Sequence, residues 1–339
     1  MKFISTSLTV AIFMCLSAYA QAQNADVRYA PSGNKDLAVV YTYDKKFDKN
    51  FFDFTLTDLE KIGFYLNDPH HNVNKVYEKE FGSTVLQTLS FNSLVMDEVV
   101  RPMLNIDPRM AAFTPFNLLM YRLKSDQKTV IAHLTPEAIL DILEITNKEI
   151  RKNYIEAFKP LTSAIEKKFP AKKSTLKIKA YAEDTMMNFE IPFDEPDDID
   201  DFMDEFQEKF EAVFENKGYI VAGYCNLKDS LNFDEDVLKM YTTFWSYDLC
   251  HIPFSYEIFD GDNAVPMAGI FAPCSMYLYV KEGENKIVIG MPTLKVWSAA
   301  LGIKNKEQLK KIDELDIEIA DILKGLGARE VPNGNPLLL

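Results

Sequence analysis

Four side chains in the second half of the chain could form a thiolate or soft-metal centre: Cys225, Cys250, His251 and Cys274. Cys274 follows Pro273 at the start of an apolar run. A thiolate there would serve as a redox nucleophile or a metal ligand, provided a cation or a helix N-terminus lowers its pKa. Without such a neighbour it behaves as a buried small hydrophobe. Cys250 and His251 together with Cys274 offer donors for copper or zinc, although the spacing shows no paired ligand motif. Cys225 and Cys250 fall in one predicted domain and are candidates for a disulfide, whose geometry a sequence does not supply. Tyr247 stands where the first Cys of a C-x-x-C-H haem attachment would be. His70 and His71 would point about 100° apart on a helix, so they read as capping residues rather than as a ligand pair. His133, at a strand end, reads as structural. No nucleophile elbow, P-loop, zinc-protease helix or dinucleotide fingerprint is present in the sequence. Acidic pairs abound, but in a chain with 51 Asp and Glu they discriminate nothing.

The elements that must position these residues come from a repeat. Residues 113–143 lie over residues 271–301 without a gap, matching at Phe113/Phe271, Pro115/Pro273, Tyr121/Tyr279, Lys128/Lys286, Val130/Val288, Ile131/Ile289, Thr135/Thr293 and Leu143/Leu301. Each copy is an apolar run, a polar turn, a second apolar run and a helical pattern. That is a β-hairpin feeding a helix, and its recurrence predicts two similar domains. The order helix–Gly–aromatic–strand also recurs, at Gly63-Phe64 and Gly218-Tyr219. The expected domains are residues 24–158 and 179–303, joined by a basic linker over 159–178 and followed by a C-terminal helix over 304–327. The acidic run Asp194–Glu205 lacks the central Gly of a Ca²⁺ loop and reads as the first turn of a helix from Asp198 to Lys217. Residues 231–268 are the least regular stretch. In the last helix Ile312, Leu315, Ile319, Ile322 and Leu326 form a narrow apolar seam. The seam packs either on its own domain or against a second copy of the chain, which would make a homo-oligomer through Lys304–Leu326.

The N-terminus has a different character. Lys2, the apolar run Phe3–Leu16 and Ala18-Tyr19-Ala20 have the pattern of a cleaved secretory signal over residues 1–20. Export, with the periplasm as destination, is the expectation, and no later run is long enough for a stable membrane span. The formal charge of −14 argues against nucleic acid and anionic membrane as partners, since both need fields of Lys and Arg.

Several short motifs resemble the domain-of-unknown-function 302 family. They are Leu89-Ser90-Phe91-Asn92-Ser93, then Met103-Leu104-Asn105-Ile106-Asp107-Pro108, then Phe113-Thr114-Pro115 and the strand Leu118–Leu123. In the second half Gly218-Tyr219 and Pro273-Cys274 carry the resemblance, and 231–268 departs from it. The resemblance implies an α+β fold: two similar domains, each a curved antiparallel sheet with helices packed on one face. In the family such domains often pair between subunits, so a tandem copy could form the pair within one chain. The family's Pro-Cys cysteine falls on Cys274, and its counterpart in the first copy is Phe116. Little chemistry follows, because the family is largely uncharacterised.

Two functional expectations result. The first is an exported, non-enzymatic module that binds a small ligand or a protein partner of unidentified chemistry, with Cys274, Tyr277, Tyr279, Trp245 and Trp297 as candidate lining. The alternative is a thiol- or metal-dependent redox protein centred on Cys274, with Cys250 and His251. The sequence names no cofactor.

Overall fold

The computed structural model describes residues 35–44, 48–126, 128–229, 235–334 and 336–338. The expected signal peptide at 1–20 lies outside the described residues.

The first half contains β1 (Asp36–Tyr43), α1 (Asp48–Asp53), β2 (Tyr65–His70), α2 (Val73–Phe81), β3 (Leu86–Val95), α3 (Asp97–Leu104), β4 (Phe116–Asn117), β5 (Leu119–Leu123), β6 (Thr129–Leu134), α4 (Pro136–Ile142), α5 (Lys148–Ala157), α6 (Lys159–Lys168) and β7 (Lys172–Lys177). The second half contains β8 (Met186–Pro192), α7 (Ile199–Glu215), β9 (Tyr219–Asn226), β10 (Tyr241–His251), α8 (Ile252–Phe259), β11 (Cys274–Lys281), β12 (Lys286–Pro292), α9 (Lys295–Leu301), α10 (Lys306–Gly325) and β13 (Arg329–Glu330). All strand pairs are antiparallel. The first sheet runs β2-β3-β5-β6-β1-β7, with β4 also on β3, and the second runs β9-β10-β11-β12-β8-β13. Strand for strand, the two orders are the same. The chain is an α+β protein of two antiparallel sheets with helices.

Local signals explain most boundaries. Thr135 caps α4 by accepting from the Ala138 N–H, with Pro136 at the first helical position. Asn147 caps α5 and Asn305 caps α10 in the same way. Asp198 accepts from the Asp200 and Asp201 N–H groups, so the acidic run serves the N-terminus of α7, as its dipole favours. Gly283 takes a positive φ in the β11–β12 turn, a conformation L side chains adopt only with strain.

Residues 159–178, expected as a linker, are α6 and β7 instead. Leu161 and Ile165 bury one side of α6, and β7 pairs with β1 to become the edge of the first sheet. Of the lysines that suggested a linker, Lys172 and Lys173 are exposed along that edge together with Lys177, where charge discourages further strand pairing. The helical pattern that ends the first repeat stops with α4 and resumes as α5 after a break at Glu144, which has φ +56°. The stretch 231–268 holds a regular strand and helix, β10 and α8, whose near-continuous burial hid their periodicity.

Two apolar cores result. Along β11, Met276, Leu278 and Val280 face a core formed with Phe206, Phe210 and Phe214 of α7 and Ile319, Ile322 and Leu323 of α10. Tyr277 and Tyr279 alternate to the other face and join a larger core shared by both halves. The joining is reciprocal. The 3₁₀ segment Pro108–Phe113 of the first half packs on β11 and β12, while the 3₁₀ segment Pro266–Phe271 of the second packs on β4, β5 and β6. Each is followed by a cis X-Pro bond, Thr114-Pro115 and Ala272-Pro273. Gly269 fits this contact because a Cβ there would lie 2.8 Å from Leu119 Cδ1. Asn117 Nδ2 donates to the Gly269 carbonyl, and the Tyr241 hydroxyl donates to the Leu104 carbonyl at 2.6 Å.

Candidate functional site

A cavity lies where the α4–α5 turn of the first half meets the segment 181–185 that leads into β8. It is a groove of about 670 Å³, within the range of small-molecule sites. Leu140, Ile145 and Ala182 give it an apolar floor, and Lys35, Asp141, Glu144, Arg151, Tyr181 and Thr185 supply polar groups. Asp141 is the hub. Its carboxylate accepts from Lys35 Nζ at 2.6 Å, from Arg151 Nη2 at 3.0 Å and from the Tyr181 hydroxyl at 2.9 Å. Burial alone would raise its pKa, but hydrogen bonds from Lys35 and Tyr181 and the charges of Lys35 and Arg151 outweigh it and hold the group below the usual range. The Tyr181 hydroxyl is pushed up, first by burial and then by donating to that carboxylate.

The local fold explains the placement. The cap at Thr135 fixes α4, so Asp141 projects from its last turn. The Ile145 N–H returns to the Leu140 carbonyl, and the cap at Asn147 then starts α5 and presents Arg151 to Asp141. Arg151 Nη1 also donates to the Ile145 carbonyl at 3.0 Å, which closes the turn. Thr185 donates to Glu144 Oε1 at 3.0 Å, tying the segment before β8 to the same turn. A smaller cavity of about 300 Å³ shares Lys35, Asp141 and Arg151, so these three form a partition between two recesses.

An ionised carboxylate already engaged by three donors is not a general acid or base. Lys35 is half exposed and spends one of its three N–H donors on Asp141, leaving capacity at the rim for an acidic group. The arrangement suits binding better than proton transfer.

The residues singled out in the sequence lie elsewhere. Tyr277, Tyr279, Trp245 and Trp297 are all buried and pack as core. Tyr277 and Tyr279 stack in parallel on one face of β11, with the Tyr277 hydroxyl resting on Gly290. Trp297 packs among Phe254, Phe259 and Phe271. With Cys274 it borders a crevice that has no room for more than a single water.

Burial holds the three thiols in their protonated form. Burial pushes Cys250 up to about 11 and Cys225 up to about 12, the latter aided by Asp97 and Asp248. Cys274 is raised well above the usual thiol value by burial, then by Cys250, Asp316 and Asp248. The expected Cys225–Cys250 disulfide is not made. Cys225 stands opposite Ser246 and Cys250 opposite Ile220. The extended stretch of β10 from Ser246 to Cys250 therefore separates the two sites, farther than an S–S bond reaches.

The proposed soft-metal set also comes apart. Cys274 pairs with Leu249, and His251 turns its Nδ1 to accept from the Phe254 N–H at the start of α8. Among the described residues no group of three His, Cys, Asp or Glu is arranged to hold a metal ion. His70 and His71 are not on a helix: His70 ends β2 and hydrogen-bonds the Ala222 carbonyl, and the His71 ring packs edge-on to Phe52. His133 is buried, with burial pushing it down to about 4. The apolar seam of α10 is buried in the chain's own fold, at 1% exposure for Ile312 and Ile319, so it does not supply a homo-oligomer contact.

Comparison with known proteins adds little. No family model matches the chain, and no curated protein matches it. Among solved structures it is similar to an uncharacterized conserved protein DUF302 from Bacillus stearothermophilus, at 18% identity and a TM-score of 0.30, over 42% of this chain and 94% of that one. A likeness at that score decides neither fold nor function. No helix among the described residues is long and apolar enough to cross a membrane.

Sequence reasoning missed the groove because its polar residues are scattered over residues 35–185 and match no motif. The one local signal was the capped turn Thr135-Pro136, which marks where the chain is held rigidly enough to present Asp141.

Proposed function

We propose that the protein is a non-enzymatic binding module whose site is the groove at Asp141, Arg151 and Lys35, and that it takes a small molecule with an apolar body and an acidic group. The groove carries this reading: it joins an apolar floor to cationic groups held in place by a fixed carboxylate. The apolar part would lie on Leu140, Ile145 and Ala182, and the acidic group would take the free donors of Lys35 at the rim. The high thiol pKa values count against the redox alternative.

The test is native mass spectrometry of the purified chain before and after denaturation, followed by a thermal-shift screen of small organic acids. A bound mass that disappears on denaturation, and a hit whose affinity falls at least tenfold in Arg151→Ala and in Ala182→Trp, are expected. A bare-chain mass together with an empty screen refutes the reading.

Two further expectations belong to this proposal. The matching strand orders support descent of the two halves from one tandemly duplicated unit of the DUF302 type. The pattern at residues 1–20 supports export to a periplasm. Intact-mass measurement of the secreted protein tests the latter, since a chain that still carries Met1–Ala20 contradicts it.

A further inference from the structure

The two sheets meet a second time, away from the groove, along the edge strands β2 and β9. His70 at the end of β2 hydrogen-bonds the Ala222 carbonyl at 2.6 Å, and Asp68 Oδ2 accepts from the Tyr224 N–H at 3.3 Å. Behind this seam stands Asp248 of β10, 1% exposed. The Ser275 hydroxyl donates to its Oδ1 at 2.7 Å. Its other oxygen, Oδ2, is buried without a hydrogen-bond partner, although Ser93 of β3 stands near enough to ease its charge. Ser93 Oγ and Ser246 Oγ are buried and unpartnered as well. Between the carboxylates lies Gly223 of β9. A Cβ on it would be crowded, at 3.1 Å from Asp248 Oδ2, 3.3 Å from Asp248 Cβ and 3.3 Å from Asp68 Oδ2, so both carboxylate oxygens close on the bare side of this glycine.

A buried carboxylate oxygen facing a second carboxylate is costly unless a positive charge or a proton joins them. Asp68, a like charge, acts on Asp248. Arg101, on the nearby α3, directs Nη2 to the Lys228 carbonyl at 2.7 Å. The donors around this glycine are oxygens, the set that hard cations prefer. Asp68 is exposed, so its side of the seam is open to solvent, where a bound ion would keep water ligands.

We propose that Asp248 Oδ2 and Asp68 Oδ2, which both approach the bare side of Gly223, bind one hard divalent cation across this seam. Calcium–oxygen bonds of about 2.3–2.6 Å would draw the two carboxylates together on one ion. The ion would clamp the first sheet to the second, because its ligands come from both.

The experiment uses the full chain, stripped with chelator, and reads thermal stability and calorimetric binding with CaCl₂ and MgCl₂ against NaCl of equal ionic strength. One ion per chain is expected for Ca²⁺ or Mg²⁺, with a Tm rise of about 3–8 °C at a hundredfold excess over Kd. Asp68→Asn, at an exposed position, abolishes the rise. Gly223→Ala abolishes it too, by placing a methyl group between the carboxylates without changing charge. Asp248→Asn does the same where it folds. Absence of a divalent-specific shift in the wild type overturns the proposal and leaves a shared proton as the link. A shift that persists in both Asp68→Asn and Gly223→Ala, or a response to Zn²⁺ alone, also overturns it.

Discussion

Asp248 shows how one buried group ties stability to pH. Burial, aided by Asp68, pushes its carboxyl up to about 7, and Cys225 and Cys274 are further titratable neighbours. An unfolded aspartate releases its proton near pH 3.8, so the folded state holds the proton more tightly between about pH 4 and 7. Its contribution to stability is therefore fully present at low pH and is lost as pH rises through that window. Asp316, pushed up to about 6 mainly by burial while accepting from the Leu294 and Lys295 N–H groups, acts with the same sign. In chelator, Asp248→Asn is expected to flatten the fall in urea-derived stability between pH 5 and pH 8. At pH 8 it should be more stable than wild type by about 1–4 kcal/mol. An unchanged slope contradicts the assignment. The thiols make a second prediction at this scale: Cys225, Cys250 and Cys274 react with a thiol reagent at pH 8 only on unfolding. A fast-reacting thiol in the native protein revives the redox alternative.

At the scale of elements, α10 is decided by its narrow seam. Ile319, Ile322 and Leu323 complete the core over α7 and the second sheet, and Asp316 on the same helix holds the start of α9. Ile319→Ala is expected to cost about 2–4 kcal/mol in denaturant unfolding, while sedimentation shows no change of oligomeric state. Dissociation of an oligomer in that variant argues for an intermolecular seam. The α4 cap is the other lever. Thr135→Ala leaves the Ala138 N–H without its acceptor, at a cost of about 1 kcal/mol. Because α4 carries Asp141, the same change should weaken ligand binding at the groove before it unfolds the protein.

The molecule as a whole is joined like an internal dimer. Each half inserts a 3₁₀ segment and a proline turn onto the other's sheet, the reciprocal contact expected of a two-fold interface. The larger core draws on both sheets, so the halves are expected to unfold in a single calorimetric transition. Two separated transitions contradict that coupling. Gly269→Ala should destabilise by about 1–3 kcal/mol in denaturant unfolding, because its methyl group meets Leu119, itself fully buried.

The sequence by itself determined the elements with clear local boundaries and the recurrence of their order. Capping residues, glycine stops and alternation in the hairpins at 113–143 and 271–301 act over a few residues, so they are legible without any partner. The same local physics marked the acidic run before α7 as a helix start. Only the tertiary structure decided which face each element shows. Tyr277, Tyr279, Trp245 and Trp297 read equally as pocket lining or as core, and they became core because a second sheet, a helix or the other half covers each of them. The lysine-rich stretch 159–178 read as a linker until β1 supplied a neighbour for β7. Chain closure brings Asp141 to Lys35 within the first half, and brings Asp68 of the first half to Asp248 of the second. Contacts at such separations leave no periodic trace in a single chain, and both candidate sites are built from them.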